Sequence, residues 1–183
     1  MNMDHPTEEL VLLVNERDEA VGTMGKLRAH QEGALHRAFS VFLFDVQGRL
    51  LLQKRAVGKY HSGGLWTNTC CSHPRPDETV VDAARRRLRE EMGIDTDVAP
   101  CFSFLYKAHF ENGLYEHELD HVLFGQWSGV ATPDPDEAED WRYMHLHEIA
   151  ADMAVHPEHY TVWLRTCWDQ VCAHASTRDK CPH

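Results

Sequence analysis

Ser72-His73-Pro74-Arg75-Pro76-Asp77-Glu78 and, after seven intervening residues, Arg86-Arg87-Leu88-Arg89-Glu90-Glu91-Met92-Gly93 define a loop and the helix that follows it. From Thr79 to Met92 the apolar residues Val80, Val81, Ala84, Leu88 and Met92 fall near one helical face. Asp77 and Glu78 suit the first turn of that helix, and Gly93 suits its C-terminal stop. On either side the pattern changes to strands. Phe39 to Val46 and Arg49 to Lys54, rich in aromatic and aliphatic residues and parted by Gln47-Gly48, predict a hairpin. A second hairpin is predicted over Phe102 to Phe110 and Glu116 to Trp127, joined around Asn112-Gly113. The last third is helical in pattern, with Tyr160, Trp163, Leu164, Cys167 and Val171 making an apolar series that packs on a sheet. Pro133 to Asp140, PDPDEAED, reads as a solvated loop, because two Pro and five acids neither join a sheet interior nor bury themselves. Hairpins first, one helix between them and helices at the end predict an α+β domain with αβα layering, helices covering a mixed sheet.

At 183 residues and 21.1 kDa the chain fits one domain, with a core over about residues 26–166, an N-terminal extension 1–25 and a C-terminal tail 167–183. Its net charge of −11 opposes a general nucleic-acid or anionic-membrane binder. One small anionic ligand stays open, since a local cluster of cations or metal outweighs a global charge. Six Cys fall below the density of a disulfide-stapled scaffold, so reduced thiols are expected. The N-terminus shows no signal-peptide pattern, and no run approaches the roughly 18 apolar residues of a membrane span. The expectation is a cytoplasmic domain, monomeric or weakly dimeric, without nucleic-acid or membrane partners.

The stretch from Ser72 to Gly93 resembles the Nudix box, G-x5-E-x7-R-E-U-x-E-E-x-G with U aliphatic. Glu78, Arg86, Leu88, Glu90, Glu91 and Gly93 fall at the family spacing, while Ser72 replaces the first Gly and Arg87 replaces the Glu of the R-E pair. The resemblance implies a Nudix-like mixed sheet flanked by helices. Nudix hydrolases use carboxylates of that helix to hold divalent cations against a diphosphate and activate water. Arg87 removes one such ligand and adds a cation suited to phosphate, so the site looks built to bind a diphosphate rather than hydrolyse it.

The flanks resemble type I isopentenyl-diphosphate isomerase. Leu65-Trp66-Thr67-Asn68-Thr69-Cys70-Cys71-Ser72-His73-Pro74 is similar to that family's W-T-N-x-x-C-x-H-P segment, and Glu116-His117-Glu118-Leu119-Asp120 to its E-x-E segment. Lys26 to His30 with Leu35 to Ser40 resembles its paired-histidine entry, and Arg55 to Lys59 before Gly64-Leu65-Trp66 fits as well. The resemblance runs from about Lys26 to Trp163.

The resemblance makes His30, His36, His73, Glu116 and Glu118 the metal ligands. Glu116 and Glu118 are two apart and share a face of an extended segment, as Cys71 and His73 do. His30 and His36, six apart, favour an extended or looped segment over one helix face. Three imidazoles with two carboxylates suit manganese, magnesium or zinc. Cys70 points opposite to Cys71 and reads as packing. A C-terminal zinc site from Cys167, Cys172, His174, Cys181 and His183 is not expected, since their spacing lacks a C-x2-C pair.

The implied reaction interconverts isopentenyl and dimethylallyl diphosphate through a tertiary carbocation, with an acid and a base on opposite sides of the alkene and water excluded. The resemblance assigns Cys71 and Glu118 to the two flanks, Tyr106 to a hydrogen bond near the acid, and the face of Trp163 to the cation. It implies Lys26, Arg55, Lys59 and Arg87 as diphosphate ligands, with a second divalent ion, magnesium, held by Glu91. Trp163 also reads as core packing, and Lys26 and Lys59 as solvated surface lysines. Two other classes stay open: a Nudix hydrolase of a nucleotide or other diphosphate, which Arg87 and the Cys71/Glu118 pair oppose, and a non-enzymatic metal-binding protein, which leaves the Arg-Lys set unexplained.

Overall fold

Residues 8–178 are described by a computed structural model. Strand β3 (His36–Phe44) organises the fold. Seven consecutive buried residues, Ala38 to Phe44, mark it as a central strand covered on both faces. Its side chains alternate between two cores. Phe39, Val41 and Leu43 pack with Ala84, Leu88 and Met92 of α2 (Val80–Met92), whereas Phe42 and Phe44 pack with Leu164, Cys167 and Val171 of α4 (Val162–Arg178). The αβα layering follows directly from that alternation.

Strand β8 (Tyr115–Gln126) runs parallel to β3 along its whole length and fills one edge, from His36↔Glu118 to Phe44↔Gln126. Three strands share the other edge end to end: β1 (Leu10–Val14) at His36, β6 (Cys70–Ser72) at Phe39 to Val41, and β4 (Leu50–Arg55) at Phe44. The first predicted hairpin therefore turns where expected but does not zip. Asp45 Oδ1 accepts from the Gln47 and Arg49 amides, and Gly48 takes φ 73°, closing the turn. Beyond the single pair Phe44↔Leu50 the two strands part, because β6 takes the β3 edge and β4 pairs instead with β5 (Trp66–Thr67) and β9 (Ala138–Met144).

The second predicted hairpin is present, as β7 (Val98–His109) with β8. β2 (Ala20–Gly25) pairs with β1, and α3 (Leu146–Val155) lies against the α4 core through Ile149 and Met153.

Two local expectations are corrected. Asp77 and Glu78 precede α2 rather than opening it: Thr79 is the N-cap, its Oγ1 accepting from the Asp82 amide, a cap that stabilises by about 1 kcal/mol. Gly93 closes the helix in the left-handed region, φ 64°, as expected. The PDPDEAED segment is a loop only to Glu137; Ala138–Asp140 begin β9, pairing with Lys54 and Arg55 at the sheet edge, where Glu139 and Asp140 are exposed. Cys181 and His183, weighed for a C-terminal zinc site, lie outside the described residues.

Candidate active site

The register of β3 builds the site. His36 pairs with Glu118, Ser40 with Cys71, and on the far side of β8 Tyr106 pairs with Glu118 and Ala108 with Glu116. Paired residues share a face, and residues two apart on a strand share it too, so His36, Cys71, Tyr106, Glu116 and Glu118 all project to the side that carries α4. Cys70 projects oppositely, into the α2 core.

The sequence-derived candidates converge. One cleft is lined by Lys26, Arg55, Lys59, Cys71, His73, Arg87, Glu91, Tyr106, Glu116, Glu118 and Trp163, and His30 and His36 lie fully buried beside it. His30 departs from the expected extended or looped segment. It sits on the short helix α1 (Lys26–Glu32), which ends at Gly33 in the left-handed conformation, so the chain turns back and starts β3 with His36 beside it. The two rings are 4.9 Å apart, and each is 4.9–5.6 Å from His73.

Two imidazoles of this group are oriented by backbone carbonyls, and His73 is held through its Nε2. His30 Nδ1 bonds the Lys26 carbonyl at 2.7 Å and His36 Nδ1 the Ala34 carbonyl at 2.8 Å, which turns both Nε2 atoms inward. His36 Nε2 lies 3.2 Å from His73 Nε2 and 3.4 Å from Glu118 Oε1; His73 Nε2 is 2.9 Å from the same oxygen. Burial lowers His73 to about 3, so its ring is neutral. Burial would also lower His36, but its contact with Glu118 outweighs this and raises it. Burial alone would lift the Glu118 carboxyl; the bonds to His36 and His73 prevail and hold it well below the usual range. Tyr106 Oη shares its proton between Glu116 Oε2 and Glu118 Oε2, both at 2.7 Å, and burial raises its own pKa well above the ordinary phenol value.

The cation side is equally bound. Arg87 Nη2 donates to Glu91 Oε1 at 2.7 Å, and Gln53 donates to Glu91 Oε2 at 3.1 Å. Lys59 pairs with Glu137, which also meets Arg87 at 3.2 Å, and Lys26 pairs with Glu9 at 3.0 Å. Neither lysine is a solvated surface group: their side chains are 25% and 22% exposed, with both heads at the cleft. Arg55 stacks 5.1 Å over Trp163, whose Nε1 donates to Asn68 Oδ1 at 3.2 Å. Enclosure pushes the Cys71 thiol up, with Arg55 opposing and nearby carboxylates adding to it, so the sulfur is protonated at neutral pH.

The box residues divide into two jobs. Arg86 grips Glu78 in a two-pronged pair, at 2.7 and 2.8 Å, and reaches Glu90 at 3.2 Å, tying the loop before α2 to the helix; from α2 itself, Arg87 and Glu91 face the cleft.

The NUDIX domain family model matches residues 34–164. Isopentenyl-diphosphate Delta-isomerase 2 of Aromatoleum aromaticum is 57% identical over 164 residues, 90% of this chain and 87% of that protein. The chain belongs to the isopentenyl-diphosphate Delta-isomerase family. The Burkholderia multivorans member is 51% identical over 85% of this chain and 89% of its own. The fold reaches further: a MutT protein from Methanosarcina mazei superimposes with a TM-score of 0.62 at 15% identity, covering 80% of this chain and 96% of that one.

Several cleft residues carried no sequence signal. Glu137 lay in a segment read as solvated, Gln53 in an apolar strand, and His61 in a Gly-rich loop without periodicity. Asp120 had one faint signal, its position two residues beyond Glu118; it is 2% exposed, accepts from Ser40 at 2.8 Å, and burial keeps its carboxyl pKa raised.

Proposed function

We propose that this chain interconverts isopentenyl and dimethylallyl diphosphate by adding a proton on one face of the allyl unit and removing another from the opposite face. The observation that carries this is the enclosure, in one cleft, of a protonated thiol, Cys71, and a charged carboxylate, Glu118, with four cations and an indole face. Hydrolysis would need no such pair. It is further opposed by Arg87 standing among the box carboxylates, by Glu78 being spent on Arg86, and by Glu90 being shared between Arg86 and Arg87.

Lys26, Arg55, Lys59 and Arg87 hold the diphosphate, Lys26, Lys59 and Arg87 exchanging their present carboxylate partners, and Arg55 its bond to the His61 carbonyl, for phosphate oxygens. Cys71 and Glu118 flank the five-carbon unit, and the proton lost from one carbon is balanced by the proton gained at another, so the two groups exchange roles with direction. Tyr106 supplies a hydrogen bond to Glu118 and steadies its charge. Trp163 faces the tertiary cation, worth about 2 kcal/mol when desolvated. The surrounding buried wall keeps out water that would trap it.

The donor set fits a divalent cation: His30 Nε2 is buried without a hydrogen-bond partner, and Nε2 atoms and a carboxylate oxygen crowd together within 3.4 Å. His30, His36, His73, Glu116 and Glu118 would hold manganese, magnesium or zinc, and Glu91 a magnesium with the diphosphate. Bound there, the cations supply charge neutralisation and fix the orientation of Glu118. No described helix is long and apolar enough to cross a membrane. The reading is of a cytoplasmic enzyme, monomeric or weakly dimeric, acting on a small molecule. Incubation with isopentenyl diphosphate and divalent metal, followed by phosphorus and proton NMR, tests this: dimethylallyl diphosphate is the expected product, and phosphate release without isomer overturns it.

A further inference from the structure

Fourteen histidines are present, and His61 is one the reaction leaves without a role. It is buried all the same, 7% exposed, in the wall of the cleft. Its ring stacks on Phe110 at 4.8 Å and 14° and meets Trp163 edge-on at 6.0 Å. Ser62 Oγ lies 3.3 Å from Nδ1, and Nε2 points at Glu116 Oε1, 3.0 Å away.

Two buried sets of potential donor atoms each fall within 4.8 Å of one another: His30, His36, His73 and Glu118, and His30, His61 and Glu116. His30 belongs to both. Its Nδ1 is taken by the Lys26 carbonyl, so Nε2, buried and unpartnered, is the atom offered to each set. An imidazole nitrogen has one lone pair and serves one ion, so two sets that both draw on His30 Nε2 make one centre rather than two. With bonds of about 2.1 Å, neighbouring corners of an octahedron lie about 3 Å apart. His61 to Glu116 at 3.0 Å, His73 to Glu118 at 2.9 Å and His36 to His73 at 3.2 Å all match that edge.

We propose that His61 is a sixth protein donor to the divalent centre, completing a shell of four imidazoles and two carboxylates with His30, His36, His73, Glu116 and Glu118. Such a shell has no open position for water. That removes the bound hydroxide a hydrolase would exploit and keeps a nucleophile away from a carbocation. The inference rests on the metal reading given above.

Electron-nuclear double resonance on the full chain loaded with Mn(II) counts the directly coordinated imidazole nitrogens without reference to turnover. Four are expected in the wild type and three in His61→Phe, which keeps the ring stack but has no donor. Water-proton relaxation should rise in that variant as water enters the vacated position, and Mn(II) affinity should fall at least roughly tenfold. Three nitrogens in the wild type, or an unchanged spectrum in His61→Phe, overturns the proposal, and the wild-type count decides even if the variant fails to fold. His36→Ala separates the two levels: Mn(II) affinity untouched there overturns the metal centre itself, whereas affinity lost there with His61→Phe unchanged overturns only the part given to His61.

Discussion

Arg87 Nη2 lies 2.7 Å from Glu91 Oε1, one helical turn along α2, at the box position where a carboxylate would stand. The pair turns a cation-collecting helix face into one that presents a guanidinium to the cleft. Burial would lower the Arg87 pKa, but the Glu91 charge outweighs it and keeps the group charged. Arg87→Ala should raise KM for isopentenyl diphosphate by roughly tenfold or more, the loss of one charge-assisted phosphate contact of about 1.5–3 kcal/mol. Steady-state kinetics check it; an unchanged KM contradicts the assignment.

Tyr106→Phe removes the one proton shared by Glu116 and Glu118. Both carboxylates are buried, so the variant should lose about 1–3 kcal/mol of stability. Its kcat should fall roughly 10- to 100-fold with KM nearly unchanged, since the hydroxyl touches the proton-transfer carboxylate and none of the diphosphate cations. Denaturant titration beside kinetics measures both.

Trp163 offers two separable contributions. Trp163→Phe loses the bond to Asn68 but keeps an aromatic face, while Trp163→Leu keeps bulk and loses the face. If the indole stabilises a cation by about 2 kcal/mol, kcat of the Leu variant should sit roughly 30-fold below that of the Phe variant. Equal kcat values would leave Trp163 as packing alone.

The Glu78–Arg86 grip should be read in stability, not chemistry. Hydrogen bonding from Arg86 lowers the Glu78 pKa. A lowered folded-state pKa contributes stability that is complete above the unfolded value near 4.5 and is lost as pH falls through the folded one. Glu78→Gln should therefore be less stable than wild type at pH 7, by about 1–2 kcal/mol given its partial exposure, with the gap narrowing below about pH 4.5. Thermal or urea unfolding at pH 7 and pH 3.5 tests the sign.

Local periodicity and turn chemistry made α2, α4 and the β7–β8 hairpin legible in the sequence, because each is specified by residues near one another. The β3–β4 divergence was not, since which strand takes the β3 edge is decided by β6 and β8, up to 82 positions away in register. β9 hid under an acidic segment because an edge strand tolerates charge where a central one does not. The ligand candidates were legible through the family resemblance of the segments that carry them, whereas His61 and Glu137 reach the cleft through loop paths that no motif marked. His30 misled for a similar reason: a two-turn helix ended by Gly33 brings it back against His36.

In the proposed function, Cys71 and Glu118 move protons on opposite flanks of the substrate. The most direct measurement is NMR of isopentenyl diphosphate in deuterated water with Cys71→Ala, loaded to the metal content of the wild type. The wild type should give dimethylallyl diphosphate carrying deuterium, and Cys71→Ala should give none while binding metal normally. Deuterated product from the variant at the wild-type rate would contradict it.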